Sequence, residues 1–388
     1  MRILVLEAST SSAKAMLHDS RKGIIRWRSV PYQSAWNANG VQSPDEILGL
    51  VAHLGRETAA GENVDAVSVV GTWHSLLMLD QRMNPCGNAY SWTFIEAAAE
   101  ADRVRENFEK AEEIYRRTGC MPHVTYAPYR YKYLKSNTGY SAGNVGKILN
   151  LSTYIVYKLT GNLAESISTA SGNGFLNIST LFWDDMMLEY TDLRLENMPE
   201  LCTHHDIFTL SANGARLLGL KSGIPVVPAH PDGAMNHTGA AAMKKGVMTL
   251  SVGTSAAIRV TADSVTLPKK PSTWCYYGPG SYIAGAAVSG GTGCVDWFVK
   301  TVADKRHFSY KDLDAMVDLN KDNGVIFMPY LFGERCPGWK DTRKAAFLGL
   351  GFADGIGEMY TAVLEGIIFQ IYLCYEMNDW GNIEQIRV

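Results

Sequence analysis

One short phrase occurs twice in this chain. Near the start, Val5-Leu6-Glu7-Ala8-Ser9-Thr10-Ser11-Ser12-Ala13 leaves an apolar strand, turns on small hydroxyl residues and re-enters apolar sequence. Past the middle, Thr249-Leu250-Ser251-Val252-Gly253-Thr254-Ser255-Ala256-Ala257 does the same. Small residues at a tight turn expose backbone N–H groups, and neighbouring hydroxyls add donors, so the turn forms a concave nest suited to phosphate oxygens. One such turn carries little information, because Gly/Ser/Thr turns occur in every globular protein. Two copies at corresponding places in two halves point to duplicated lobes facing one nucleotide.

A chain of 388 residues exceeds what one hydrophobic core usually serves, which sets two domains as the expectation. The net charge of -3 gives no basic excess, so a nucleic-acid partner is not expected. Seven cysteines lie scattered without a Cys-x-x-Cys pair, a pattern that suits a reducing compartment rather than a disulfide framework or a zinc site. The opening Met1-Arg2-Ile3-Leu4-Val5 is interrupted by Glu7 too soon for a signal peptide. The greasy stretch from Val363 to Leu373 contains Glu365 and Gln370, so no membrane span is expected. These features describe a cytoplasmic globular protein.

Ile3–Glu7, Ala13–Leu17 and Ile24–Tyr32 read as strands separated by turn residues. Ser43-Pro44-Asp45-Glu46 starts a helix, with serine as N-cap and proline at the first position. Val64–Val70 is a buried strand ending at Gly71-Thr72-Trp73-His74, which completes an α/β lobe. Helical spacing then covers Glu112–Arg117, Tyr129–Lys135 and Val145–Leu159, with Gly161 as a C-cap. Strand character returns at Ile224–Val227. The turn Lys244-Lys245-Gly246 sets the domain boundary, giving domains 1–245 and 246–388. The second half repeats the plan with Tyr282–Val288, Ile326–Pro329, a helix from Ile356 to Tyr375 and a last strand at Ile383–Val388.

Asp232 is the sharpest chemical candidate, in His230-Pro231-Asp232-Gly233 just past a strand. A carboxylate held near a γ-phosphate accepts the proton of an attacking hydroxyl, although Pro-Asp-Gly also reads as a plain turn. Glu7 ends a strand that is otherwise apolar, either to hold Mg2+ or as an exposed strand end. Trp73, His74, Ser91 and Trp92 lie at strand ends, where ligands of α/β lobes gather. His74 is a candidate donor to a sugar hydroxyl and Trp73 or Trp92 a cover for its apolar face, against a structural role for a solitary histidine. Gly290-Gly291-Thr292-Gly293 opens a helix whose N-terminus suits either an anion or a close backbone approach. Gly333-Glu334-Arg335-Cys336-Pro337-Gly338-Trp339 reads as a loop ordered near a cleft or as a structural corner.

In their order these motifs resemble the FGGY family of carbohydrate kinases. The resemblance implies two ribonuclease-H-like lobes of the actin-like ATPase superfold. It runs through Thr10-Ser11-Ser12 with Lys14, Trp73-His74, Ser91-Trp92, Thr118-Gly119-Cys120 with His123, Ala170-Ser171-Gly172 and Trp183-Asp184. It continues through Asp232, Gly253-Thr254-Ser255, Gly333-Glu334-Arg335 and Leu364-Glu365-Gly366. By resemblance, Asp232 is the general base, and Thr10, Ser11, Ser12, Lys14, Gly253, Thr254 and Gly291 hold ATP. Trp73, His74, Trp92 and Asp232 hold the substrate, with Glu7 toward Mg2+. Gluconokinases are most similar and xylulokinases next, so the acceptor is a sugar acid or ketose. The oligomeric state is open, a homodimer being one outcome.

Departures from the family pattern are informative. Glu7-Ala8-Ser9-Thr10 stands where Asp-x-Gly-Thr is usual, Phe94 and Glu96 replace a polar Asp/Arg pair, and Ser166 replaces an acid. The family's adenine-holding glycine-rich loop is not found after Ile383–Val388, which makes the second lobe incomplete. A non-catalytic sugar-binding fragment is therefore the alternative expectation.

Overall fold

The computed structural model describes residues 1–137, 145–303, 307–318 and 320–388. Contacts divide the chain into two units. The first holds Met1–Gly239 and Tyr276–Tyr282, the second Ala240–Cys275 and Ile283–Val388.

The first unit is built on a six-stranded mixed sheet. Its strands are β1 (Arg2–Ala8), β2 (Ser12–Asp19), β3 (Gly23–Pro31), β4 (Ala66–Gly71), β5 (Phe208–Thr209) and β6 (Pro225–Pro231). They lie in the order β5-β6-β4-β1-β2-β3, with β1, β4 and β6 parallel. Residues alternate between faces along a strand, so Leu4, Leu6 and Ala8 point together to the core while Ile3, Val5 and Glu7 take the other side. Helix α1 (Pro44–Ala59) covers that core with Ile47, Val51 and Leu54. Gly55 lets it approach closely, since a Cβ there would lie 2.8 Å from Leu6 Cδ2. Ser43 occupies the N-cap, but its hydroxyl makes no capping bond; α1 starts on Pro44 with Asp45 and Glu46 in the first turn.

One expected helix is shorter than its periodicity. Residues 147–149 form a strand paired with Leu77–Leu79, and the helix α2 begins only at Leu151, ending at Thr160. Asn150 makes the break, its side chain accepting the Ser152 N–H as N-cap. Gly161 closes the helix in the left-handed region at φ 84°. The short helix α3 (Ile167–Ser171) and helix α4 (Asp232–Gly239) follow.

The second unit holds β7 (Val247–Val252) and β8 (Ala256–Ala262), an antiparallel pair around the second hydroxyl turn. The last strand, β9 (Gln385–Arg387), lies parallel to β7 at the sheet edge. Helix α5 (Thr292–Phe298) precedes the long helix α6 (Ile356–Glu376). Among the described residues α6 alone is long and apolar enough to cross a membrane. One face of it packs inward through Tyr360, Val363, Ile367 and Ile371, while Ile368, Phe369 and Tyr372 are exposed.

Leu6 is fully buried under α1. Leu6→Ala is expected to lower unfolding free energy by about 2–5 kcal/mol in a urea titration. A loss below about 1 kcal/mol would contradict the packing described.

Candidate active site

The register of three parallel strands builds the site. Ala8 pairs with Gly71, and Gly71 pairs with Pro231, so β1, β4 and β6 end in one row. Adjacent strands lie about 4.8 Å apart, which places the chain leaving Ala8 roughly 10 Å from the chain leaving Pro231. The Thr10 turn, Thr72-Trp73-His74 and Asp232 thus emerge side by side at the carboxyl ends of parallel strands, where α/β sheets bind ligands.

Asp232 opens α4 directly after β6 and is half-buried; its Oδ1 accepts the Gly233 N–H at 2.7 Å. Ser166 Oγ and Thr169 Oγ1 both donate to the Ala229 carbonyl, at 2.5 and 3.0 Å, clamping α3 onto β6 beside Asp232. The absent acid at Ser166 is therefore replaced by a hydroxyl clamp. The β6 ladder shifts between Val227 and His230, an irregularity of the kind that re-aims a strand end. Burial lowers the His230 imidazole to about 4, with His204 adding to the shift, so this neighbour of Asp232 is neutral at pH 7.

The first hydroxyl turn closes on itself. Ser9 donates to the Ser12 carbonyl through its N–H at 3.0 Å and its hydroxyl at 2.8 Å. No residue of the turn has a positive φ, which is why serine serves where glycine is usual. The Thr10 carbonyl accepts from Asn37 Nδ2 and Gln42 Nε2, and Thr10 Oγ1 accepts from Trp92 Nε1 at 2.9 Å. Ser11 is exposed and Ser12 half-buried.

Glu7 and Lys14 face each other across the β1–β2 ladder and pair at 2.7 Å. The pair fixes both side chains at the end of the hairpin, beside the Ser9–Ser12 turn. The described residues contain no group of three His, Cys, Asp or Glu able to hold a metal ion, and a single carboxylate such as Glu7 suits Mg2+ that comes with a triphosphate.

Trp73 is 4% exposed, donates to the Ser168 carbonyl at 2.7 Å and packs on Gly172, where a Cβ would lie 2.4 Å from its ring. Its face is spent on packing, so it is not the expected cover for a sugar. His74, half-buried, bonds the Gly172 carbonyl through Nδ1 at 2.6 Å. A carbonyl only accepts, so Nδ1 carries a proton; Nε2 is then an acceptor in the neutral ring and a donor in the imidazolium. Tyr126 and Tyr276 flank His74 edge-on, their hydroxyls bonded to each other at 2.8 Å. Phe94 is buried against Tyr90 and Tyr133, and Glu96 is exposed.

In the second unit Gly253 and Thr254 are exposed at their turn. The N–H groups of Gly291, Thr292 and Gly293 donate to the Thr254, Gly253 and Thr254 carbonyls at 3.0, 2.7 and 3.2 Å. A Cβ on Gly291 would lie 2.4 Å from the Gly253 carbonyl oxygen. Gly291 is there for close packing, and the start of α5 is occupied by that turn rather than offered to an anion. Glu334 is buried against Arg343 at 2.7 Å, and Arg335 donates to the Val288 carbonyl, the contacts of a structural corner.

Sequence reasoning missed the buried polar groups behind the site. Asn150 donates to the Thr72 and Trp73 carbonyls. Fully buried Glu165 accepts from Asn150 N, Thr153 Oγ1 and Asn173 Nδ2. Fully buried Arg130 donates to the carbonyls of His74, Tyr90 and Thr125, and burial lowers its guanidinium to about 9. The one available signal was a charge inside the aromatic run Tyr129-Arg130-Tyr131.

Two domain models cover nearly the whole chain. The N-terminal domain of the FGGY family of carbohydrate kinases matches residues 2–239, and its C-terminal domain matches residues 248–381. The chain belongs to the FGGY family. It is a sugar kinase, transferring phosphate to a hydroxyl. A gluconokinase of Bacillus subtilis is 24% identical over 96% of this chain and 76% of its own length. Solved structures of a gluconate kinase and a xylulose kinase, both from Lactobacillus acidophilus, superpose with TM-scores of 0.87 and 0.88 at 27% and 26% identity. They match 96% and 97% of this chain and 77% and 78% of their own. Matches to both FGGY domains weigh against the non-catalytic alternative.

Burial pushes the Glu165 carboxyl up to about 7, against the three donors that lower it. Below pH 4.5 both folded and unfolded chains hold this proton; between 4.5 and about 7 only the folded chain does. Stability from this group therefore falls as pH rises through that window and is flat above it. The stability difference between wild type and Glu165→Gln is expected to shift against wild type from pH 4.5 to 7 in urea melts. A pH-independent difference would contradict the assignment.

Proposed function

We propose that this enzyme transfers the γ-phosphoryl group of ATP to a hydroxyl of an open-chain sugar acid or ketose, gluconate ahead of xylulose. The supporting observation is the row Ala8–Gly71–Pro231, which brings Asp232, His74 and the Thr10 turn to one edge of the sheet. Relatives named as gluconate and xylulose kinases support the acceptor class.

In this reading Asp232 is the general base. Its carboxylate takes the proton of the acceptor hydroxyl as the new O–P bond forms, the bond from the γ-phosphorus to the β–γ bridging oxygen breaks, and ADP leaves. The neutral His230 beside it leaves the carboxylate's basicity undiminished by a cation. His74 Nε2 accepts from a second hydroxyl of the acceptor and fixes its orientation, while the indole face of Trp92 covers an apolar side of the carbon chain. Thr10, Ser11 and Ser12 donate to phosphate oxygens. Glu7 would stand toward magnesium bound with the triphosphate, which would neutralise its charge. Work in the cytoplasm, where ATP is abundant, fits this chemistry.

Asp232→Asn is expected to lower kcat by about 10²–10⁴-fold while acceptor affinity stays within a few-fold of wild type. ADP release on a panel of gluconate, xylulose, ribulose and glycerol, with acceptor binding by calorimetry, reads both quantities. Near-normal turnover would remove Asp232 as base, and activity confined to glycerol or ribulose would overturn the acceptor ranking.

A further inference from the structure

The bond from Trp92 Nε1 to Thr10 Oγ1, 2.9 Å long, joins residues 82 positions apart. It links the residue assigned to the acceptor with the residue assigned to phosphate. An indole N–H only donates, and a hydroxyl has one proton and two lone pairs. Accepting from Trp92 uses a lone pair of Thr10 Oγ1, so the Thr10 proton points to some other acceptor. The polarity of that hydroxyl is thereby set.

The turn does not need this bond for its shape. Ser9 and Ser12 already close it, and Asn37 and buried Gln42 fix the Thr10 carbonyl. The other end is equally held. Ser91 N–H donates to the Gly40 carbonyl at 2.8 Å, Ser91 Oγ bonds Thr93 Oγ1 at 2.7 Å, and Phe94 is buried. The Trp92 indole sits half-buried between these two fixed segments.

We propose that Trp92 is a positioning residue that couples acceptor binding to the phosphate turn, its indole N–H directing the Thr10 hydroxyl proton toward the transferred phosphoryl group. This rests on the kinase reading above. An acceptor packed on the Trp92 ring restricts it and sharpens the bond to Thr10; phosphate on Thr10 does the reverse, since coupling between two ligands is reciprocal.

The test uses Trp92→Phe, which keeps an aromatic face and removes the donor, with Thr10→Val and Thr10→Ser. Gluconate affinity is measured by calorimetry with and without the non-hydrolysable analogue AMP-PNP, and kcat and KM by ADP release. Wild type is expected to bind gluconate at least about 5-fold tighter with the analogue, the lower end of ordinary coupling. Trp92→Phe is expected to abolish that gain, read as the ratio of its own gluconate affinities with and without the analogue, and to lower kcat. Thr10→Val behaves alike, the double variant is no worse than Thr10→Val alone, and Thr10→Ser, which keeps the hydroxyl, restores coupling. Wild-type coupling in Trp92→Phe, additive losses in the double variant, or no coupling in wild type would each overturn the proposal. Should Trp92→Phe fail to fold, the Thr10→Val and Thr10→Ser pair decides by the same readout. If wild type phosphorylates neither gluconate nor xylulose, the acceptor reading fails; if it does and the variants match it, only the coupling fails.

Discussion

The parallel register of β1, β4 and β6 is the constraint on which the site depends. Ala8, Gly71 and Pro231 stand level because the buried faces of these strands align Leu4 and Leu6, Val67 and Val69, and Val226 over one core. A slip of one residue would turn every one of those side chains to the opposite face. The core therefore fixes the register, and the register fixes which loops meet. Gly71 shows how tightly this is set: a Cβ there would lie 2.6 Å from Ser152 Cβ, so the strand end is held against the start of α2.

Strands that stop in a row leave main-chain carbonyls without ladder partners, and buried carbonyls require donors. In the first unit side chains supply them. Asn150 serves Thr72 and Trp73, Ser166 and Thr169 serve Ala229, and Arg130 serves His74 and Tyr90. Such groups are costly to bury and strongly felt when removed. They hold the chain at Thr72–His74 and at Ala229 from behind. Glu165, buried beneath Asn150 and Asn173, places a near-neutral titration inside this support.

What the sequence displayed was local. Tyr282–Val288 is a strand with the expected bounds, α1 and α6 begin where their first residues say, and Gly161 caps its helix. Alternation and capping are properties of neighbouring residues. The apolar spacing from Val145 to Leu159 misled because Asn150 and the pairing of residues 147–149 with Leu77–Leu79 override periodicity. The Glu7–Lys14 pair was legible in principle: counting outward across the Ser9–Ser12 turn places the two opposite each other. The burial of Trp73, the occupation of α5's start by the Gly253 turn and the Trp92–Thr10 bond were not legible. Each depends on segments far apart in sequence that only the folded sheet brings together.

The most direct measurement is a crystal structure of the protein with gluconate and AMP-PNP bound. An acceptor hydroxyl within hydrogen-bonding distance of the Asp232 carboxylate, another on His74 Nε2, and phosphate oxygens at the Thr10 turn are the predicted result. Gluconate bound away from the strand ends Ala8, Gly71 and Pro231, or Asp232 turned from it, would contradict the account.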